Sequence, residues 1–208
     1  MGVRAVMAAV AVAVALGSTV TACSTVTPPA VPNPRIPTIV PPTSFSRVPQ
    51  MVDRPLPDDC ELVVPVEVLH QRLGRELPGE LKTIIGIPEP SLGRTGKIDC
   101  YYGVGERQPL AAAPVVVGLA SYVDAPTASG RVTESVTAER EDGATVTQVD
   151  VSKHKGSLVT TKDERLLMGS LGKTTFVARV KAGVVPDDAV GAFLAAIAQQ
   201  SMTPVEEA

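Results

Sequence analysis

Two Ser-x-x-Lys tetrads are the residues of this chain best typed for covalent chemistry: Ser152-Lys153-His154-Lys155 and Ser170-Leu171-Gly172-Lys173. Such a pair can form an acylated serine, but only where the serine opens a helix and Ser-Asp-Asn and Lys-Thr-Gly segments complete the site. Ser-Asp-Asn does not occur, and Lys173-Thr174-Thr175 misses Lys-Thr-Gly. Gly169-Ser170-Leu171-Gly172-Lys173-Thr174 echoes a phosphate-binding loop, yet only two residues separate its glycines where four are needed. Gly93-Arg94-Thr95-Gly96-Lys97 fails on the same spacing and runs into Ile98 instead of Ser or Thr. Glu67-x-x-His70 would put two metal ligands on one helical face, but a dinuclear site needs a second such motif. The other histidine, His154, falls in an expected turn over Lys153 to Gly156. There is no Gly-x-Ser-x-Gly and no Cys-x-x-Cys. The chain is therefore read as a non-enzyme without cofactor or metal.

Cys23 carries a different chemistry. Arg4 is the only charge before it, Ala5 to Leu16 is apolar, and Gly17 to Ala22 is small and weakly polar. These are the three parts of a secretory signal. The apolar run is too short to cross a bilayer, which takes about 20 residues. Val20-Thr21-Ala22-Cys23 resembles the bacterial lipobox, with Val at the position more often held by Leu. That resemblance implies cleavage before Cys23 and acylation of its thiol and new amine. Two or three acyl chains anchor stably where one is marginal.

From Ser24 to Pro57 the prolines recur at close intervals, among them Pro28, Pro29, Pro41, Pro42, Pro55 and Pro57. Proline fixes φ and removes a backbone donor, so neither helix nor sheet runs through. A semi-rigid extended spacer is expected. Residues 1–22 are thus read as signal, 23–57 as lipidated cysteine and tether, 58–202 as one globular domain and 203–208 as a flexible tail.

Composition narrows the domain. The chain has 208 residues and a net charge of −3, with both signs interspersed, which speaks against nucleic acid. It has no Trp, three Tyr and three Phe, a poor supply for stacking carbohydrate. Cys60 and Cys100 remain once Cys23 is assigned. Export to an oxidising compartment favours their pairing, and the alternative is two buried thiols.

The elements that would position these residues read as α+β. Val66, Leu69, Leu73 and Leu77 share one helical face after Pro65, with Gly74 as its weak point or end. Residues 78–97, rich in Gly and Pro, read as a loop. Ile98, Cys100, Tyr102 and Val104 alternate as in a strand, and Val115 to Val123 is apolar enough for a central one. Asp124-Ala125-Pro126 opens a second helix. Thr145–Val151, Leu158–Thr161, Arg165–Leu171 and Thr174–Val180 form a meander closed by a hairpin at Gly172-Lys173. Val190, Phe193, Leu194 and Ile197 mark a last helix after Pro186. A single antiparallel β-sheet of five to six strands with two to three helices packed on it follows.

Cys60-Glu-Leu-Val-Val-Pro-Val-Glu-Val-Leu-x-x-x-Leu-Gly74, followed by Asp99-Cys100-Tyr101-Tyr102, resembles the start of actinobacterial envelope lipoproteins of unknown function. Val64 stands where that family has a capping Thr, and Val66 where it has Glu. The resemblance covers Cys60 to about Tyr102. It implies a membrane-anchored α+β domain whose disulfide ties the first helix to the sheet, and it carries over no catalytic residue. The expectation is a lipid-anchored module on the outer face of the cell membrane that binds an envelope protein or a cell-wall ligand. A carrier of lipid or glycolipid in an apolar cavity is the alternative, and an envelope hydrolase the second. On the lipobox reading, Cys23→Ala releases the protein from the membrane fraction and abolishes fatty-acid labelling; continued labelling refutes it.

Overall fold

The alternating residues Ile98, Cys100, Tyr102 and Val104 are all buried on one face of a strand, as their spacing predicts. The structure, a computed structural model, describes residues 50–204; Cys23, the signal and most of the tether lie outside the described residues. The strands are β1 (Glu80–Gly86), β2 (Arg94–Val104), β3 (Val115–Tyr122), β4 (Thr145–Val151), β5 (His154–Thr160), β6 (Glu164–Leu171) and β7 (Thr174–Lys181). The helices are α1 (Val66–Leu73), α2 (Ala125–Glu141) and α3 (Val190–Ser201). All seven strands join one antiparallel sheet in the order β1-β2-β3-β7-β6-β5-β4.

The α+β class is as expected, but the sheet has seven strands, not five to six. The additional one is β1, inside the segment 78–97 assigned to loop. Its residues show no alternation: Ile84 and Ile85 are both exposed, on opposite faces. Backbone pairing with β2 makes the strand, and no buried stripe announces it. A second correction concerns the turn over Lys153 to Gly156. The chain reverses one step earlier, at Ser152 (φ 56°) and Lys153, and His154 opens β5.

One face of the sheet holds the main core. Val63, Val64 and Leu69 from the N-terminal side meet Phe193, Leu194 and Ile197 of α3 over Ile98, Val117, Leu119 and Phe176. On the opposite face α2 lays Val136, with Val132, over Val159, Leu166 and Met168. Asp124 caps α2 by accepting from the Thr127 N–H (2.8 Å), and the Thr127 side chain first, then this backbone bond, hold its carboxyl below the usual range. The thin stripe of α2, with only Ala128 and Val136 buried, leaves it half exposed.

Both domain boundaries shift outward. Residues 50–57, assigned to the tether, belong to the fold. Met51 is buried, and Val52 N–H donates to Met202 O (3.0 Å). Arg54 Nη1 reaches Thr203 O (3.1 Å) and Leu62 O (3.2 Å). Asp53 accepts from Lys173 N–H (3.1 Å) and the Thr174 hydroxyl (2.9 Å) at the β6–β7 turn. A Cβ at Gly172, which sits at φ 58°, would fall 2.1 Å from Asp53 Oδ2. Proline did exclude regular structure here; it did not exclude docking. Thr203, assigned to the flexible tail, is likewise buried and bonds Gln199 O through its hydroxyl (2.8 Å).

The Cys60–Cys100 disulfide is present, with S–S 2.07 Å and Cα–Cα 5.5 Å. It ties the turn before α1 to β2. Two residues on, the buried Tyr102 hydroxyl donates to Val64 O (2.7 Å), and burial pushes its ionisation well above the usual tyrosine range. Replacing both cysteines by serine is expected to lower stability by ~2–5 kcal/mol in chemical denaturation of the full-length protein. Tyr102→Phe, which orphans a buried carbonyl, is expected to cost ~1–3 kcal/mol. Because the folded state raises this pKa, the unfolded chain releases the Tyr102 proton first. Stability is then intact below the ordinary tyrosine pKa of ~10 and falls as pH rises above it. That alkaline loss should be smaller in Tyr102→Phe.

Candidate functional site

Neither Ser-x-x-Lys tetrad opens a helix. Ser152 lies in the β4–β5 turn, and Lys155 pairs with Asp150 across the same hairpin. Ser170 is the last but one residue of β6, three before Lys173, whose N–H is taken by Asp53. Gly172 and Lys173 form the hairpin turn expected of them. His70 Nε2 accepts the Leu77 N–H (3.1 Å), so that nitrogen closes the loop after α1, whose end is set by left-handed Gly74 (φ 70°). Among the described residues no three His, Cys, Asp or Glu side chains come close enough to hold a metal ion. No helix among them is long and apolar enough to cross a membrane.

Two other features stand out. The first is the free edge of β1. This strand pairs with β2 alone, and Ile84, Ile85 and the following Ile87 are 43, 62 and 81% exposed. An apolar edge strand is a template for another strand, and proteins usually blunt such edges with charge. Here the charges sit at one end, where Lys82 pairs with Glu80, and the Ile84–Ile87 end has none. The opposite edge, β4, carries Gln148 and Asp150 on its exposed positions, with Asp150 bridged to Lys155.

The second feature is a cleft of about 240 Å³ between α2 and the sheet. The odd residues Lys97 and Asp99 of β2 point away from the main core and into it. A bulge between Arg94 and Gly96 brings Arg94 opposite Tyr122, onto the same face. Arg131 and Ser135 of α2 and Thr175 of β7 complete the polar lining, and Tyr122, Val132, Met168 and Val177 supply apolar wall. Lys97 Nζ pairs with Asp99 Oδ2 (2.7 Å), Arg94 Nη2 with Glu89 Oε2 (2.5 Å), and Arg131 with Glu134. A Cβ at Gly118 would fall 2.7 Å from Asp99 Oδ1, so glycine there makes room for that carboxylate on the floor.

Sequence reasoning did not find the cleft. Arg94 and Lys97 belong to the segment considered and rejected as a phosphate loop, and their convergence with Arg131 depends on the bulge and on the docking of α2. Nothing in their local spacing signals it.

No protein-family model matches the chain, and no curated protein matches it. Among solved structures it is similar to the extracellular domain of PknH from Mycobacterium tuberculosis, at 10% identity and a TM-score of 0.44, over 71% of this chain and 97% of that one.

Proposed function

We propose that this chain is a lipid-anchored, extracytoplasmic module of the cell envelope that binds an extended segment of another protein along the free edge of β1, without catalysing a reaction. The observation that carries the reading is the contrast between the two sheet edges. β4 is blunted by polar and paired residues, whereas β1 offers unpaired backbone groups beside isoleucines on both faces. An added strand would gain main-chain hydrogen bonds from the edge and bury apolar side chains above and below it. The anchor rests on Cys23 and the residues before it. Two further supports are the disulfide, which suits an oxidising compartment, and the docked segment 50–57.

The alternative of a lipid carrier draws no comparable support. The main core is filled by packed side chains, the α2 cleft, at about 240 Å³, is small for the acyl chains of a lipid and partly charged, and the wider cleft of about 520 Å³ beside the docked segment is lined in good part by polar and charged residues, among them Asp53, Arg54, Thr95 and Lys173. An envelope hydrolase would need a nucleophile beside a base, and neither serine tetrad has that setting.

The test places a photo-crosslinking amino acid at position 85 of the full-length, lipidated protein in its native membrane. One discrete adduct with a different protein is expected, lost when Ile84→Lys is added and absent when the crosslinker sits at position 150. Substitution at so exposed a residue should change stability by no more than ~0.5 kcal/mol. Adducts joining two copies of the chain, or equal yields at both edges, would overturn the proposal.

A further inference from the structure

We infer that the cleft under α2 is a binding site for a small organic carboxylate, an anion carried on a short apolar body. Three cationic side chains, Arg94, Lys97 and Arg131, line it against a single carboxylate, Asp99. Each cation has a carboxylate partner, Lys97 with Asp99 at 2.7 Å, Arg94 with Glu89 at 2.5 Å and Arg131 with Glu134, and each of the latter two pairs engages one guanidinium nitrogen, so the attraction for an anion rests on the guanidinium donors these pairs do not use. Guanidinium presents a planar fork of donors matched to a carboxylate.

Arg94 is placed there by a departure from regular strand geometry. In an unbroken β2 it would share the face of Gly96 and Ile98, toward the main core; the bulge turns it to the cleft side. Bulges recur beside functional sites because they re-aim one side chain. The guanidinium is then incompletely used. Nη2 is held by Glu89, but Nε is buried without a hydrogen-bond partner, the sole such side-chain atom among the described residues. An unmatched buried donor is destabilising, and an acceptor brought to it removes that cost. A modest rotation of Arg94 about its own stem, within a cleft that has space, would expose Nε to an entering oxygen.

The remaining lining selects the ligand. Asp99, only 16% exposed at its side chain, faces the cleft with a charge of the ligand's own sign, which favours a single negative charge over the two of a phosphate monoester. Tyr122, Val132, Met168 and Val177 offer apolar contact to whatever carries the anion, and Ser135 and Thr175 add hydroxyls at the wall. The volume of about 240 Å³ admits a short chain or one ring. The site is on the other side of the sheet from the main core and does not use the β1 edge.

The experiment follows arginine Nε–H resonances of the full-length, ¹⁵N-labelled protein by NMR while hexanoate is added, with acetate and inorganic phosphate as separate titrants. Hexanoate should move the Arg94 Nε–H signal and saturate at a concentration roughly tenfold or more below either control, as one charge-assisted bond plus apolar contact would give. Arg131→Gln, half-buried at the cleft wall, should shift the hexanoate curve by about tenfold, and Lys155→Gln, at the distant β4–β5 hairpin, should not. The inference is overturned if the Arg94 signal does not move, if phosphate saturates as readily as hexanoate, or if Arg131→Gln leaves the curve unchanged.

Discussion

The covalent and hydrogen-bonded attachment of the Cys60–Val64 turn to β2 is the constraint on which the N-terminal half of this fold rests. Cys100 and Tyr102 are two residues apart on one strand, so both point to the same face. One forms the disulfide to Cys60, and the other donates its hydroxyl to Val64 O. Between them they hold both ends of a short turn whose own hydrogen bonds, Val63 and Val64 N–H to Cys60 O, are local. The helix that follows has only eight residues, too few to persist in isolation. It forms because its first residues are already fixed against the sheet and because Gly74 and His70 close its far end. Register in β2 matters doubly for this reason: a shift by one residue would turn Cys100 and Tyr102 to the α2 side and release the whole segment.

Most of the fold was legible wherever burial imposes a period. The helix α3 and the strand β2 each present one apolar face to the main core, and the strands of the meander turn apolar residues toward both cores; Val190, Phe193, Leu194 and Ile197 are buried as spaced. β1 was illegible because only Leu81 packs against the core while its other residues up to Ile85 are exposed, and a strand held by backbone pairing leaves no apolar rhythm. The segment 50–57 was illegible for a related reason. Its prolines correctly excluded helix and sheet, but its attachment runs through Asp53 and Arg54, polar side chains whose partners, Thr174 and Thr203, lie far away in sequence.

The candidate sites sit at these illegible places. Cys60 and Cys100 were found from compartment and count, since pairing needs little geometry to anticipate. The β1 edge became visible only when a loop proved to be a strand. The cleft depends on a one-residue bulge and on helix docking, both tertiary events. Interspersed charges that look like ordinary solvated surface along the chain, Arg94, Lys97 and Arg131, converge once β2 bends and α2 lies down. By contrast, the two Ser-x-x-Lys tetrads that catch the eye in the sequence lie at hairpin turns, where short runs of Gly, Ser and Lys are expected from turn chemistry alone.

The docked N-terminal segment has a mechanical meaning. Traction applied to the chain ahead of Gln50 would arrive first at Val52, Asp53 and Arg54, which grip the end of α3 and the β6–β7 turn through hydrogen bonds. Those bonds can open one after another, like the teeth of a zipper, and lengthen the leash by the residues up to Asp59. At Cys60 the peeling meets a covalent stop, because that residue is bonded into an interior strand of the sheet. The domain would therefore yield by a fixed, short length under load and then hold, keeping α1 and the strands beyond it out of the line of force.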